Sequence, residues 1–326
     1  MATVELVLAS KARAATSHFR FLALVGQRLL HLPSTISSLQ KGARAPRLER
    51  IAFVMHIPPP HDESDQTNGT SQMSYAGDLT TSNYWEKVWA AAPEAEGLRA
   101  QLQKVTQWKY DRMVRRMFQT VRPDGDLLEL GCAPGHKLER IHRLRPEMRL
   151  SGIDFAEEGC RATSKLLRRM GLPGNVFHDD VRTAELPNRF DVVTSFGLIE
   201  HFDDPVEIVR CHARFCRPGG TVAVALPNFC SPMVRFFADR FCPENLAIHN
   251  LDIMNRRVLT KVMNDAGLKS VQVGGDGGNQ LHLLISRQDW ASRTYATLGR
   301  IWNVGAIVVP PQLGWHSYFW AIGQVA

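Results

Sequence analysis

The chain has 326 residues, 44% of them hydrophobic and 22% charged, with 24 Gly and 18 Pro, the balance of a globular protein. Its composition excludes collagen, a coiled coil and a wholly unstructured chain, and it contains no run of about 18 uncharged apolar residues from which a membrane helix is built. The net charge of +7 is uneven: the first 50 residues carry eight Lys or Arg against Glu5 and Glu49, while the remaining 276 carry 31 basic and 30 acidic residues. The body is therefore close to neutral and offers no general surface for a phosphate backbone.

Residues 1–80 stand apart by composition. An acid-poor stretch with an amphipathic pattern near 18–31 has the character of an organelle transit peptide, and reads equally as an extension ahead of Met55 or Met73. IPPPHDESDQTNGTSQ at 57–72 reads as a disordered linker. Six cysteines occur without a CxxC pair or the Cys/His spacing of a zinc site, so no metal is expected and the thiols are read as reduced. The location adopted on this reading is the cytoplasm.

From Ser82 the pattern becomes regular. NYWEKVW at 83–89 and a helical period through Leu98, Leu102, Val105, Trp108, Met113, Val114 and Met117 predict two helices before any strand. After the turn Pro123-Asp124-Gly125, strands are predicted at DLLEL (126–130), RLSGID (149–154), NVFHDD (175–180), FDVVTSF (190–196) and GTVAVALPN (220–228). Helices are predicted from His136, over 157–170 and from Pro205 to Cys216. This alternation specifies a parallel sheet covered on both faces, with ligands at the carboxyl ends of its strands. Beyond Asn228 come an insertion (229–252), a helix (254–266), a sixth strand (269–274), a second insertion (276–315) and a terminal strand SYFWAIGQV (317–325). One domain over 81–326, with its core at 124–228, is the organisation expected.

LLELGCAPGH at 127–136 carries the strongest chemical signal. A buried strand runs into a turn whose glycines let the backbone approach a ligand, and the following helix points free N–H groups at the same place. The spacing is Glu-x-Gly-x-x-x-Gly; Ala133 and His136 stand where a Gly-x-Gly-x-x-Gly dinucleotide loop has glycines, which disfavours a nicotinamide cofactor.

With this turn the sequence resembles the class I S-adenosylmethionine-dependent methyltransferases of small-molecule type. The resemblance rests on Glu129, Gly131 and Gly135 around Cys132 and Ala133, and on Asp154 before Phe155. It continues through Asp180 and Val181, FDVVTSFGLIEHFDDP (190–205) and the turn Pro218-Gly219-Gly220. It is firm over 124–228, looser over 253–326, faint over 82–120 and absent before 80. It implies a doubly wound Rossmann-like sheet of seven strands in the order 3-2-1-4-5-7-6 with the last strand antiparallel. It also implies S-adenosylmethionine as cofactor, with methyl transfer by in-line displacement to an O or N atom of a small acceptor. Asp154 would take both ribose hydroxyls, since a carboxylate offers two acceptor oxygens. Asp180, or its neighbour Asp179, would approach the adenine amino group with Val181 at the ring edge. Ser195, Phe196 and Gly197 would line the cofactor after the fourth strand.

An acceptor that must lose a proton makes His201 the candidate general base; the other reading is that it caps the helix or packs on the cofactor. His136 would line the methionine end, and Glu200 and Asp203 are expected on a solvated face. Tyr84, Trp85 and Trp89 would form a lid or pack on the sheet edge, and His249 would enter the acceptor pocket from the first insertion. Phe236, Phe237, Phe241, Trp302 and Trp315 divide between the same two readings. Among rival functions, amino-adenine methylation would resemble an Asn/Asp-Pro-Pro-aromatic motif where Thr194-Ser195-Phe196-Gly197 stands, and no Pro-Cys nucleophile for cytosine appears there. A protein acceptor has no short signature, and a non-catalytic binding module is opposed by the retained motif residues.

Overall fold

The structure, a computed structural model, describes residues 78–90, 110–122, 124–172, 174–187, 189–241, 243–276 and 317–326. Two helical pieces precede the sheet, α1 (Ser82–Ala90) and α2, whose described part spans 110–117. There follow β1 (Asp126–Leu130), α3 (His136–Leu144), β2 (Arg149–Asp154), α4 (Glu157–Arg169), β3 (Asn175–His178), β4 (Phe190–Phe196), a 3-10 turn (Ile199–His201) and α5 (Pro205–Phe215). The chain continues through β5 (Cys216–Pro227), α6 (Pro232–Phe241), α7 (Pro243–Ala247), α8 (Arg256–Asp265), β6 (Lys269–Asp276) and β7 (Tyr318–Gln324). Among the described residues no helix is long and apolar enough to cross a membrane.

Seven strands form one sheet in the order β3-β2-β1-β4-β5-β7-β6, with β7 antiparallel to both of its neighbours. This is the expected order. β1 lies in register with β2 on one side (Leu128 opposite Ser151) and with β4 on the other (Leu128 opposite Val193). Side chains alternate between faces: Val193, Val222 and Val224 join one core cluster, Val192, Ala223 and Ala225 the other. Helices α5 and α8 cover the first face through Ile208, Val209, Phe215, Leu259, Val262 and Met263. Residues 110–117, α3 and α4 cover the second through Met113, Met117, Leu138, Ile141 and Leu167. Each such side chain, buried in full, contributes roughly 1.5–3 kcal/mol of transfer free energy.

The first insertion is helical, forming α6 and α7, and β5 begins at Cys216, earlier than its apolar run. β3 is shorter than predicted and ends at His178, so Asp179 and Asp180 lie beyond the strand. The second insertion, with Trp302 and Trp315, lies outside the described residues, as do 1–77.

At the sheet edge Asp276, fully buried at the end of β6, ties α2 to the sheet. Its carboxylate accepts from Arg112 Nε at 2.7 Å, Arg116 Nη1 at 3.1 Å and Trp320 Nε1 at 3.3 Å. A buried carboxylate with three donors is held far better than one left dry. Asp276→Ala is expected to lower unfolding stability by about 2–3 kcal/mol, measured by denaturant titration, because charge-assisted hydrogen bonds are lost while both arginines keep access to water.

Candidate functional site

The turn after β1 is built for close approach. Gly131 (φ 68°) and Gly135 (φ 91°) both sit in the left-handed region that other residues avoid. Gly131 and Cys132 donate their N–H groups to Ile153 O at 2.9 and 3.2 Å, which fastens the turn to the end of β2. Gly135 precedes α3 without a side-chain cap, so the first turn of α3 opens on a cleft lined there by His136 and Lys137. The cleft encloses about 1130 Å³ including its mouth, and receives residues from the ends of β1, β2, β3 and β4.

Acidic groups at the ends of β1, β2 and β3 face it under different constraints. Glu129 is buried, and neither carboxyl oxygen has a hydrogen-bond partner among the described residues. Desolvation drives its pKa well above the usual range, opposed by the charge of Lys137. Asp154 is also buried, and desolvation raises its pKa to about 6, opposed by N–H groups of Ala133 and Ala156, each donating to it at 3.0 Å. Those bonds fix the carboxylate at the cleft wall and use only part of its capacity as an acceptor. Asp180, by contrast, is spoken for: Arg182 donates Nη2 to Oδ2 at 2.7 Å and Nε to Oδ1 at 3.0 Å. The same guanidinium reaches Asp78 Oδ1 at 2.8 Å. Asp179 Oδ1 accepts the Asp180 N–H at 2.8 Å, and its side chain is half-exposed in the cleft.

The segment after β4 forms the floor. Phe196, Gly197, Leu198, His201 and Phe202 line it. Loop 248–250, which follows α7, clamps this segment: His201 Nδ1 lies 2.8 Å from Ile248 O, Asn250 N donates to Glu200 O at 2.6 Å, and Asn250 Nδ2 to Phe202 O at 3.2 Å. A carbonyl partner makes Nδ1 the protonated nitrogen, leaving the lone pair on Nε2. Burial lowers the His201 pKa to about 4, so the ring is neutral at physiological pH.

Glu200 departs from its expected solvated face. It is 1% exposed, its Oε2 has no partner among the described residues, and desolvation raises its pKa to about 8. The 3-10 turn explains the difference, since it carries Glu200 inward beside His201 where an ongoing helix face would have turned it to solvent.

α1 forms one wall of the cleft through Trp85 and Trp89, stacked at 5.6 Å, while Trp85 meets His201 edge-on at 5.2 Å. Thr80 Oγ1 accepts from Trp85 Nε1 at 3.0 Å, and Leu79 N donates to His201 O at 3.0 Å. Glu86 anchors α1 to the start of α4, where its carboxylate accepts from Glu157 N and from Glu158 N, the latter at 3.0 Å. Ala156 offers α4 no side-chain cap, so Glu86 supplies from a distant helix the anion that a helix N-terminus favours.

Of the expected cofactor residues, Glu129, Gly131, Ala133, Asp154, Phe155, Asp179, Asp180, Val181, Phe196 and Gly197 meet at this cleft. Cys132, Gly135 and Ser195 do not line it. Cys132 is buried beside Thr163, Gly135 shapes the turn, and Ser195 Oγ is 2.9 Å from His212 Nε2 behind β4. Tyr84 packs edge-on against Trp85 at 5.1 Å without lining the cleft. His249 is also absent from the lining and packs 4.5 Å from the His201 ring. Phe236 is 68% exposed, and the side chains of Phe237 and Phe241 lie outside the described residues. Sequence reasoning missed Asp78, Thr80 and Arg182; a basic residue two positions after Asp180 was the only local signal for the last.

Residues 101–273, just over half of the chain, match a family model described as a methyltransferase domain. Among curated proteins the chain is similar to the ubiquinone biosynthesis O-methyltransferase of Proteus mirabilis, at 35% identity over 104 residues covering 31% of this chain and 42% of the relative. Its counterpart in Neisseria meningitidis serogroup A is 33% identical over 106 residues, covering 31% and 44%. The chain thus spans less than half the length of these relatives. Among solved structures, geranyl diphosphate C-methyltransferase from Streptomyces coelicolor superposes with a TM-score of 0.49 at 13% identity, covering 72% of this chain and 86% of that one. With the strand order, the turn after β1 and this family match together, the chain belongs to the methyltransferase-domain family of class I S-adenosylmethionine-dependent enzymes.

Proposed function

We propose that residues 81–326 catalyse transfer of a methyl group from S-adenosylmethionine to an oxygen or nitrogen of a small-molecule acceptor. The observation that carries this reading is the pair of buried carboxyl groups on the cleft wall, Glu129 with no partner among the described residues and Asp154 held by two backbone N–H groups. An isolated buried carboxylate is costly, and a ligand bearing an ammonium group and a vicinal diol supplies what both lack. Asp154 would accept from the ribose hydroxyls and Glu129 would face the amino group of the methionyl end. Asp179 is better suited than Asp180 to the adenine amino group, because Arg182 already occupies both Asp180 oxygens.

When bound, the cofactor would supply an electrophilic methyl group, passed to the acceptor in one displacement with a neutral thioether as the leaving group. The protein's part is alignment and exclusion of water. Trp85, Trp89 and Phe202 enclose the cleft beside His201, whose Nε2 lone pair would face the acceptor. With a pKa near 4 it is a weak base. A weak base suffices when the acceptor proton becomes strongly acidic as the new bond forms, so late proton transfer is the sequence this ring supports.

The ubiquinone-pathway relatives support a hydroxyl acceptor, and the enclosing aromatic rings suit one with an apolar body. The nearly neutral body argues against a nucleic-acid partner. The free thiols of Cys132, Cys160, Cys211, Cys216 and Cys230 support a reducing location, and we place the enzyme in the cytoplasm.

Calorimetric titration with S-adenosylmethionine tests the reading. Asp154→Ala should weaken binding at least tenfold, and unchanged affinity would refute the site. Because only ionised Asp154 accepts two hydroxyls, wild-type affinity should fall as pH drops below about 6, by at most tenfold per unit, and Asp154→Ala should abolish that dependence. In turnover assays His201→Ala should lower kcat by about 100-fold with cofactor affinity retained. Full turnover would remove His201 from the mechanism.

A further inference from the structure

One group at the cleft floor is used only in part by this mechanism. Glu200, His201 and His249 each offer a ligand atom, and the three atoms lie within 4.8 Å of one another. Two are adjacent in sequence and the third is brought in by loop 248–250, so the juxtaposition exists only in the folded chain. We infer that these three side chains form a binding site for a divalent first-row transition cation at the acceptor end of the cleft.

Three independent features support the site. The carboxyl of Glu200 is 1% exposed and its Oε2 has no hydrogen-bond partner among the described residues, the environment of a carboxylate awaiting a positive charge. Its Oε1 lies just under Gly197 of the cleft lining, 3.4 Å from where a Cβ there would sit. His201 has the orientation of a metal-ligating imidazole: Nδ1 is committed to Ile248 O at 2.8 Å, which fixes the tautomer and leaves Nε2 as the donor atom. The His201 and His249 rings meet at 46° with centroids 4.5 Å apart, a tilted arrangement that a coordinated pair can adopt. Phe229 holds the far side of His249 edge-on at 4.9 Å.

Two imidazoles and one carboxylate suit Zn²⁺, Mn²⁺, Fe²⁺ or Co²⁺, and are a poor set for Mg²⁺ or Ca²⁺, which prefer oxygen. A cation at about 2.0–2.2 Å from each donor would draw the atoms to roughly 3–3.5 Å from one another. That contraction, up to about 1.3–1.8 Å for the widest pair, is within reach of side-chain rotation. Three protein ligands leave a position open towards the cleft, where an acceptor hydroxyl could coordinate and lose its proton to solvent more readily than it would unaided; with the cation bound, this replaces proton transfer to His201 Nε2, whose lone pair the metal then holds. That role rests on the methyl-transfer reading; the binding of the cation does not.

The test uses the full chain, stripped with a chelator, dialysed and titrated with Mn²⁺ by following the free-ion electron paramagnetic resonance signal, then challenged with Zn²⁺. Mn²⁺ is the first probe because thiolates compete poorly for it. One Mn²⁺ per chain, displaced by Zn²⁺ and weakened at least tenfold in both Glu200→Gln and His249→Gln, is the expected result. Thermal unfolding of each variant establishes that it is folded. A folded wild-type chain that binds neither ion, or folded variants that bind Mn²⁺ as tightly as wild type, would overturn the site. Calorimetry with S-adenosylmethionine on the same samples separates the two readings. Cofactor binding without cation binding refutes this site alone, whereas cation binding without cofactor binding upholds it and refutes the methyl-transfer reading.

Discussion

Everything at the cleft depends on the way β1 sits between β2 and β4. The chain leaves β1 towards β2 and β3, then returns across the sheet to β4 on the other flank of β1. Crossovers departing to opposite sides cannot close over the carboxyl end of β1, so a crevice remains there, floored by the β1 turn and the segment after β4. The parallel arrangement then brings the ends of four strands to one edge. Leu128 and Leu130 fill the core beneath, which fixes Glu129 on the opposite face of the same strand beside the cleft.

The buried charges divide by whether the protein itself supplies their partners. Asp276 and Asp180 are satisfied internally, by Arg112, Arg116 and Trp320 in one case and by Arg182 in the other. Glu129 and the Oε2 of Glu200 have no partner among the described residues; Glu129 lines the cleft and Glu200 lies behind its floor, beneath Gly197. A folded chain tolerates such groups by raising their pKa, so that they are readily neutral when empty and gain most when a cationic group arrives. Side-chain pairing thus separates Asp180 and Asp276 from Glu129 and Asp154, which face the cleft with no side-chain hydrogen bond among the described residues. Asp180 falls on the structural side, whereas its neighbour Asp179 keeps a half-exposed carboxylate in the cleft.

The N-terminal helix α1 acts as a wall of the site because three separate contacts hold it. Glu86 meets the start of α4, Asp78 meets Arg182, and Leu79 N donates to His201 O. Each links a pre-sheet residue to a segment after β2, β3 or β4. The tryptophans are thereby fixed in position, and their role is enclosure of the cleft as well as packing.

The sequence by itself determined the sheet and the turn and, through the family resemblance that they carry, the cofactor class. These depend on local order: alternating apolar runs, glycines at positions that demand positive φ, and an acid at the end of a strand, all within stretches of a few residues. Only the tertiary structure decided which acids are free. Asp179 and Asp180 are indistinguishable in a string of letters, and Arg182 separates them by the reach of a side chain. Glu200 reads as solvated from its charged neighbours, whereas the 3-10 turn after β4 buries it and loop 248–250 sets His249 against His201. Those placements arise from hydrogen bonds across 47 or more positions, such as the one from the His201 ring to the Ile248 carbonyl, and no local pattern encodes a contact at that separation.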